Sequence, residues 1–412
     1  MSEEYEFLKP KEDGQPSINI GFVGHVDHGK TTLTKALSGK WTDEHSEEIK
    51  RGITIRLGYA DCIFYKNKQD KYTIQKKDEK GNKNTFVRKI SLVDSPGHET
   101  LMATMLSGST IIDGALLLVS ANEVCPQPQT KEHIQALEIL GIKNIIIVQN
   151  KIDTVPEKIV KKNYEQIKEF LSNTSFKNSP IIPISALHDV NIDVLIQVIE
   201  EVITTPKRKI NSQPKMFVAR SFDVNKPGSS PDKMIGGVLG GALIEGILKV
   251  GDNIEIAPGR KIESHGKVTY EPIETTITGI KTGGKSVETV YPGGSIALLT
   301  NLDPSIIKSD QIGGATIGHK DKLPPTLYEL NIDANLLKQT IDNLNIGPLA
   351  MREPLLLNVN SSKTVCTVNK VKKNKANLIL KIPVCANEGD LVTISRRFGT
   401  RWRLIGSATI EK

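Results

Sequence analysis

Near-continuous apolar runs and segments of helical spacing alternate through the first half of the chain. The runs are Ser17–Val23, Ile90–Val93, Gly114–Ser120, Asn144–Val148 and Pro180–Ile184. Each is followed by a stretch with apolar residues at helical intervals: Lys30–Leu37, Glu99–Ser107, Thr130–Leu140, Lys158–Leu171 and Val190–Ile203. Strands buried on both faces read as continuous apolar runs, and strand–helix alternation demands right-handed crossovers. The pattern predicts a doubly wound, mostly parallel α/β sheet, with ligands held in the loops at the carboxyl ends of the strands.

Around Lys207–Pro214 helical spacing stops. Short alternating runs take over, among them Met216–Val224, Ile235–Leu248, Asn253–Ile256 and Ser295–Leu299, with Gly and Pro recurring between them. This texture belongs to small β barrels. The Pro324–Pro325 break marks a second boundary, and strands continue to the end. The expected domains are 1–209 (α/β), 210–324 (β barrel) and 325–412 (β barrel).

Composition narrows the class. The chain has 412 residues, 38% hydrophobic and 25% charged, which suits a globular protein of several domains. Lys and Arg number 54 against 47 Asp and Glu, a net charge of +7 that permits a polyanionic partner without requiring one. The excess is local. Phe64–Lys89 has nine basic residues against three acidic and reads as a lysine-rich excursion loop; Ser361–Arg403 has ten against two and threads strand-like segments. Cys62, Cys125, Cys366 and Cys385 lack the close spacing of a zinc knuckle, and no disulfide framework is expected, which fits a reducing, cytoplasmic setting. Neither a signal peptide nor a membrane-spanning run is apparent.

The candidate chemistry sits at the predicted strand ends. Gly24-His25-Val26-Asp27-His28-Gly29-Lys30-Thr31-Thr32 follows a strand and opens a helix, as a phosphate loop does. Successive N–H groups at Gly24, Val26, Asp27, His28, Gly29 and Thr32 can face one anion at the positive end of the helix. Lys30 adds a point charge, and the Thr31 hydroxyl is a hard ligand for Mg²⁺. Asp94-Ser95-Pro96-Gly97 supplies a carboxylate toward that metal and the Gly97 amide toward the γ phosphate. Asn150-Lys151-Ile152-Asp153 reads the base: the Asp153 carboxylate accepts from guanine N1–H and N2–H₂, where adenine presents a lone pair. Ser185-Ala186-Leu187 follows the fifth strand and is placed to bring a backbone N–H to guanine O6. Copies of these short patterns at Asn67–Asp70, Asp78–Gly81 and Asp310–Gly313 lack a preceding buried strand and are assigned to chance. The cofactors expected are GTP or GDP and Mg²⁺, the latter facing Thr31, Asp27 and Asp94.

Arg51-Gly52-Ile53-Thr54-Ile55 and Asp94-Ser95-Pro96-Gly97-His98, together with the form of the phosphate loop, resemble the translational GTPases. That resemblance implies an α/β P-loop GTPase domain followed by two β-barrel domains. It puts Thr54 on Mg²⁺ and the γ phosphate, His98 on the attacking water, and Val26 with Ile53 as an apolar gate. Within that group the chain is most similar to the gamma subunit of archaeal and eukaryotic translation initiation factor 2. The similarity is carried by Lys50–Tyr59, Leu101–Ser107, Ala121–Thr130, Arg220–Pro227, Gly236–Gly241, Gly266–Pro272 and Arg401–Gly406, among others. It implies a GTP-dependent carrier of methionylated initiator tRNA, partnered by the small ribosomal subunit and by alpha and beta subunits in a heterotrimer. Many members carry a four-cysteine zinc knuckle between the switches; Ile63–Val87 has no cysteine, so zinc is not expected. The basic residues Arg220, Lys226, Arg396, Arg397, Arg401 and Arg403 are candidates for RNA phosphate contacts. The competing reading is an elongation-type GTPase delivering selenocysteinyl or elongator tRNA.

Overall fold

A computed structural model describes residues 10–40, 58–95, 102–225, 236–307, 310–340 and 344–412. The chain divides into two compact units, 1–207 and 208–412.

The first unit is built on seven strands: β1 (Asn19–Gly24), β2 (Gly58–Lys66), β3 (Tyr72–Thr73), β4 (Thr85–Asp94), β5 (Gly114–Ser120), β6 (Ile145–Asn150) and β7 (Ile181–Pro183), in the order β3-β2-β4-β1-β5-β6-β7. β4, β1, β5, β6 and β7 run parallel. Every residue of β1, β5 and β6 is buried, because helices cover both faces. Phe22, Leu33, Leu92, Leu116, Ile146 and Ile196 belong to this core. The chain builds outward on one side of β1, then crosses over it to β5. The switch point, where ligands of such sheets bind, is therefore the carboxyl end of β1.

The structure adds two strands to the parallel set. β2 and β3 extend the sheet antiparallel beyond β4, so the sheet is mixed. The excursion loop expected over Phe64–Lys89 is correspondingly shorter, since β2 reaches Lys66 and β4 begins at Thr85. The intervening residues close locally. The Asn67 side-chain oxygen accepts from the Gln69 and Lys71 amides, and that of Asp78 from Lys80 and Asn82. Glu12 pairs with Lys76 and accepts from the Tyr65 hydroxyl, while Tyr72 and Ile74 pack on the core.

Arg88 and Lys89, counted in the basic run, are buried in β4. Arg88 donates from Nε to Glu200 (2.9 Å) and from both terminal nitrogens to the Ile203 carbonyl (3.0 Å each), at the end of helix Ile192–Val202. A cation there suits the helix carbonyl end. Burial pushes the Glu200 carboxyl upward, and Arg88 opposes the shift.

The second unit contains two barrels. Its strands are β8 (Lys215–Phe222), β9 (Val238–Glu245), β10 (Leu248–Lys249), β11 (Asn253–Ser264), β12 (Lys267–Thr282), β13 (Lys285–Val287), β14 (Thr289–Val290), β15 (Ile296–Thr300) and β16 (Thr316–His319), then β17 (Thr326–Leu336), β18 (Pro354–Val359), β19 (Ser362–Lys372), β20 (Lys375–Cys385), β21 (Leu391–Phe398) and β22 (Arg401–Glu411). The ring β11-β16-β8-β9-β15-β12 closes through β11–β12 pairing, and β17-β20-β19-β18-β21-β22 forms the second closed barrel. Closure removes the exposed edges that short antiparallel strands would otherwise present. Each barrel has its own apolar core. The barrels touch where the Ser361 and Ser362 hydroxyls donate to the Gly314 carbonyl, and where the Tyr270 N–H donates to the Tyr328 hydroxyl.

Removing one partner of a buried ion pair strands the other. Arg88→Ala is expected to cost the first unit about 3 kcal/mol, and Glu200→Gln markedly less. Scanning calorimetry of the full chain checks this: the transition of 1–207 should fall while that of 208–412 stays.

Candidate functional site

Three strand ends converge at the switch point. β1 ends in Gly24, where an added Cβ would lie 2.5 Å from the Leu118 carbonyl oxygen of β5. The chain then loops through His25–Gly29 and enters helix Lys30–Ser38. Gly29 caps that helix at φ 89°, a conformation that favours glycine. A Cβ at Gly29 would stand 2.3 Å from Asn150 Nδ2. The loop is therefore pressed against the end of β6.

Asn150 fastens the contact. Its Nδ2 donates to the His28 carbonyl (3.0 Å), and its Oδ1 accepts from the Ala186 amide (3.0 Å). One buried carboxamide thus joins the phosphate loop, the base-reading element and the turn after β7. Lys151 takes the left-handed conformation (φ 63°) and turns the chain into Ile152–Thr154, which carries Asp153. The Ser185 hydroxyl is bonded to the Asp153 carboxyl and holds it below the usual carboxylate range. His188 Nε2 lies 3.6 Å from the same carboxylate. Ser185 and Ala186 are buried, whereas Leu187 is exposed.

The Lys30 ammonium, also buried, donates to the carbonyls of Gly24 (2.9 Å) and His25 (2.8 Å), so it lies across the mouth of its own loop. The Thr31 hydroxyl donates to Asp94 Oδ2 at 2.9 Å. Asp94 is fully buried at the end of β4, beside Phe22 in the sheet register. Two hard oxygens of the kind that suits Mg²⁺ therefore stand side by side. Among the described residues no group of three His, Cys, Asp or Glu side chains is set to hold a metal, so a metal at Thr31 and Asp94 would need further ligands from elsewhere. Asp27 (φ 61°) is exposed on the loop, Val26 and Thr32 are half-buried, and Thr54, Gly97 and His98 lie outside the described residues.

His28 plays an unexpected part. Its ring is fully enclosed, with Nδ1 2.9 Å from the Leu118 carbonyl and Nε2 3.3 Å from Glu123 Oε2. Burial lowers its pKa, opposed by those two acceptors. Nearby, burial pushes His133 down to about 3, which keeps that ring neutral behind the phosphate loop. The residues that sequence reasoning missed are Glu123, Gln149 and Asn163; nothing in their local sequence distinguishes them.

The candidate RNA contacts divide. Arg403 is buried, Arg396 binds the carbonyls of Gly347 and Pro348 and the Glu353 carboxylate, and Arg220 pairs with Asp310 at 3.5 Å. Arg397 and Arg401 are exposed, and Lys226 lies outside the described residues.

Asn150→Ala would leave a buried amide and a buried carbonyl without their partner. The expected loss is about 2–3 kcal/mol of stability in the first unit, measured as a lowered denaturant midpoint.

Residues 15–205 match the family model of the elongation factor Tu GTP binding domain, and residues 328–410 match that of initiation factor eIF2 gamma, C terminal. The chain is 52% identical to translation initiation factor 2 subunit gamma of Pyrococcus furiosus, over 97% of this chain and 98% of that protein. It is 53% identical to the same subunit of Methanocaldococcus jannaschii, over 98% and 99%. Among solved structures, translation elongation factor SelB from Methanococcus maripaludis in complex with the GTP analogue GppNHp matches with a TM-score of 0.71 and 26% identity, over 97% of this chain and 79% of that one. The phosphate loop, the base-reading loop and the paired barrels thus meet in one lineage: the chain belongs to the gamma-subunit family of translation initiation factor 2, within the translational GTPases.

Proposed function

We propose that this chain carries methionylated initiator tRNA to the small ribosomal subunit in its GTP-bound form, within a heterotrimer with alpha and beta subunits, and that GTP hydrolysis releases the tRNA. Full-length relatives named as initiation factors, 52–53% identical, support this reading over an elongation-type carrier, for which the SelB structure offers 26%. The domains carrying it are 1–209, 210–324 and 325–412.

The observation that supports the nucleotide-binding part of this reading is the Asn150 clasp, which ties the Gly24–Thr32 loop to the turn after β7. The triphosphate lies along Gly24–Thr32, held by backbone amides at Val26, Asp27, His28 and Gly29 and by Thr32. Lys30 turns from the Gly24 and His25 carbonyls toward the β and γ phosphates. Thr31 and Asp94, with Asp27 and Thr54, would hold Mg²⁺, which when bound would supply positive charge to offset that on the phosphates. Lys151 and Asp153 bracket the guanine, and the Ser185-Ala186-Leu187 turn offers a backbone N–H to O6. Gly97 senses the γ phosphate and His98 positions the attacking water. No arginine in the motifs presents itself as a built-in finger, so hydrolysis is slow until the ribosome or a partner protein accelerates it. Loss of the γ phosphate frees Thr54 and Gly97, and the tRNA-binding arrangement relaxes.

Because Ser185 holds the Asp153 carboxyl low, the carboxylate needed for guanine stays ionised throughout the neutral range and is lost only as pH falls through its depressed pKa. Asp153→Asn is expected to weaken GTP binding by about 10- to 100-fold and to improve xanthosine triphosphate binding. An unchanged preference in equilibrium titrations refutes the base-reading role. Filter binding with charged initiator tRNA should show tighter retention with GTP than with GDP, and stronger retention of initiator than of elongator tRNA. Equal retention sinks the carrier reading.

A further inference from the structure

The nucleotide site uses His28 through its backbone, yet its ring is fully buried and has a hydrogen-bond partner at each nitrogen. Glu123, in the loop after β5, reaches Nε2 at 3.3 Å while the Leu118 carbonyl takes Nδ1 at 2.9 Å. Glu123 is itself held. Asn163, a buried residue of helix Glu157–Leu171, donates from Nδ2 to the Glu123 carbonyl (2.7 Å) and to the Ser120 carbonyl (3.3 Å). Its Oδ1 accepts from Gln149 Nε2 at 2.8 Å, and Gln149 immediately precedes Asn150 in β6. Asn150 then returns to the His28 carbonyl. The contacts form a closed circuit: His28 ring, Glu123, Asn163, Gln149, Asn150, His28 carbonyl. Side chain and backbone of one phosphate-loop residue are fixed by the strand that leads to the base-reading carboxylate.

We propose that Glu123 is a positioning residue for the phosphate loop, fixed by Asn163 and acting through the His28 ring to hold the loop in register with the base-reading strand. The proposal rests on reading Gly24–Thr32 and Asn150–Asp153 as one guanine nucleotide site. Glu123 touches neither phosphate nor base. Its effect is on the lifetime of the bound nucleotide, and discrimination between bases stays with Asp153.

The test is the release rate of a fluorescent GDP from the full chain, by stopped flow, for wild type, Glu123→Ala and Glu123→Gln. Melting of each protein is measured alongside. Loss of a hydrogen bond to a partly exposed charged group should speed release from Glu123→Ala about tenfold. Glu123→Gln, which keeps the hydrogen-bonding reach, should stay within about threefold of wild type. The melting transition of 1–207 and the guanosine-over-xanthosine preference should hold in both variants. Wild-type binding with unchanged release from Glu123→Ala overturns this proposal alone. So does Glu123→Gln releasing as fast as Glu123→Ala, or release rising only in step with a falling melting transition. Failure of the wild type to bind fluorescent GDP overturns the site reading and this proposal together.

Discussion

The nucleotide site depends on the two hydrogen bonds made by the Asn150 side chain. β1, β6 and β7 each end in a loop, and loops beyond strand ends hold position only where something ties them. A single carboxamide has one donor group and one acceptor in a fixed plane. Here the donor takes a carbonyl of the phosphate loop and the acceptor takes an amide of the turn after β7. One side chain therefore ties the phosphate loop to the turn after β7. The enclosed surroundings raise the worth of both bonds, because neither partner has water to fall back on.

Electrostatics in the site is arranged by burial as much as by pairing. Burial pushes His133 down to about 3 and keeps that ring neutral, while at His28 the Leu118 carbonyl and the Glu123 carboxylate oppose the effect of burial. The Lys30 ammonium is satisfied by its own loop carbonyls, so phosphate competes with specific acceptors rather than with bulk water. Thr31, in the first turn of helix Lys30–Ser38, and Asp94, at the end of β4, are drawn together by a hydrogen bond that presets a pair of hard oxygens. Preset geometry of this kind lowers the ordering cost of binding.

The parallel half of the sheet was legible because continuous apolar runs such as Gly114–Ser120 admit few other readings. β2 was not: Gly58–Lys66 alternates, as an outer strand does, and its lysine-rich continuation resembled a loop. The short-motif copies show why context decides. Asn67 and Asp78 cap tight turns through their own side chains, and Asp310 accepts from the Ser221 amide, so residues that suit nucleotide loops also suit ordinary turns. Charge counting could not separate surface from interior: Arg88 and Arg403 are buried, and Arg396 is bonded to the Gly347 and Pro348 carbonyls. Glu123 and Asn163 were invisible because they meet His28 and Gln149 only through long-range packing.

The close approach at Gly29 has an evolutionary side. A methyl group there would occupy the place of the Asn150 amide nitrogen, and a shorter residue at 150 would make room only by abandoning the clasp. Neither position has a neutral one-step path away from its present residue. Drift in this lineage should accordingly pass around the pair, through the helices and barrel surfaces, and leave these two sites locked to each other.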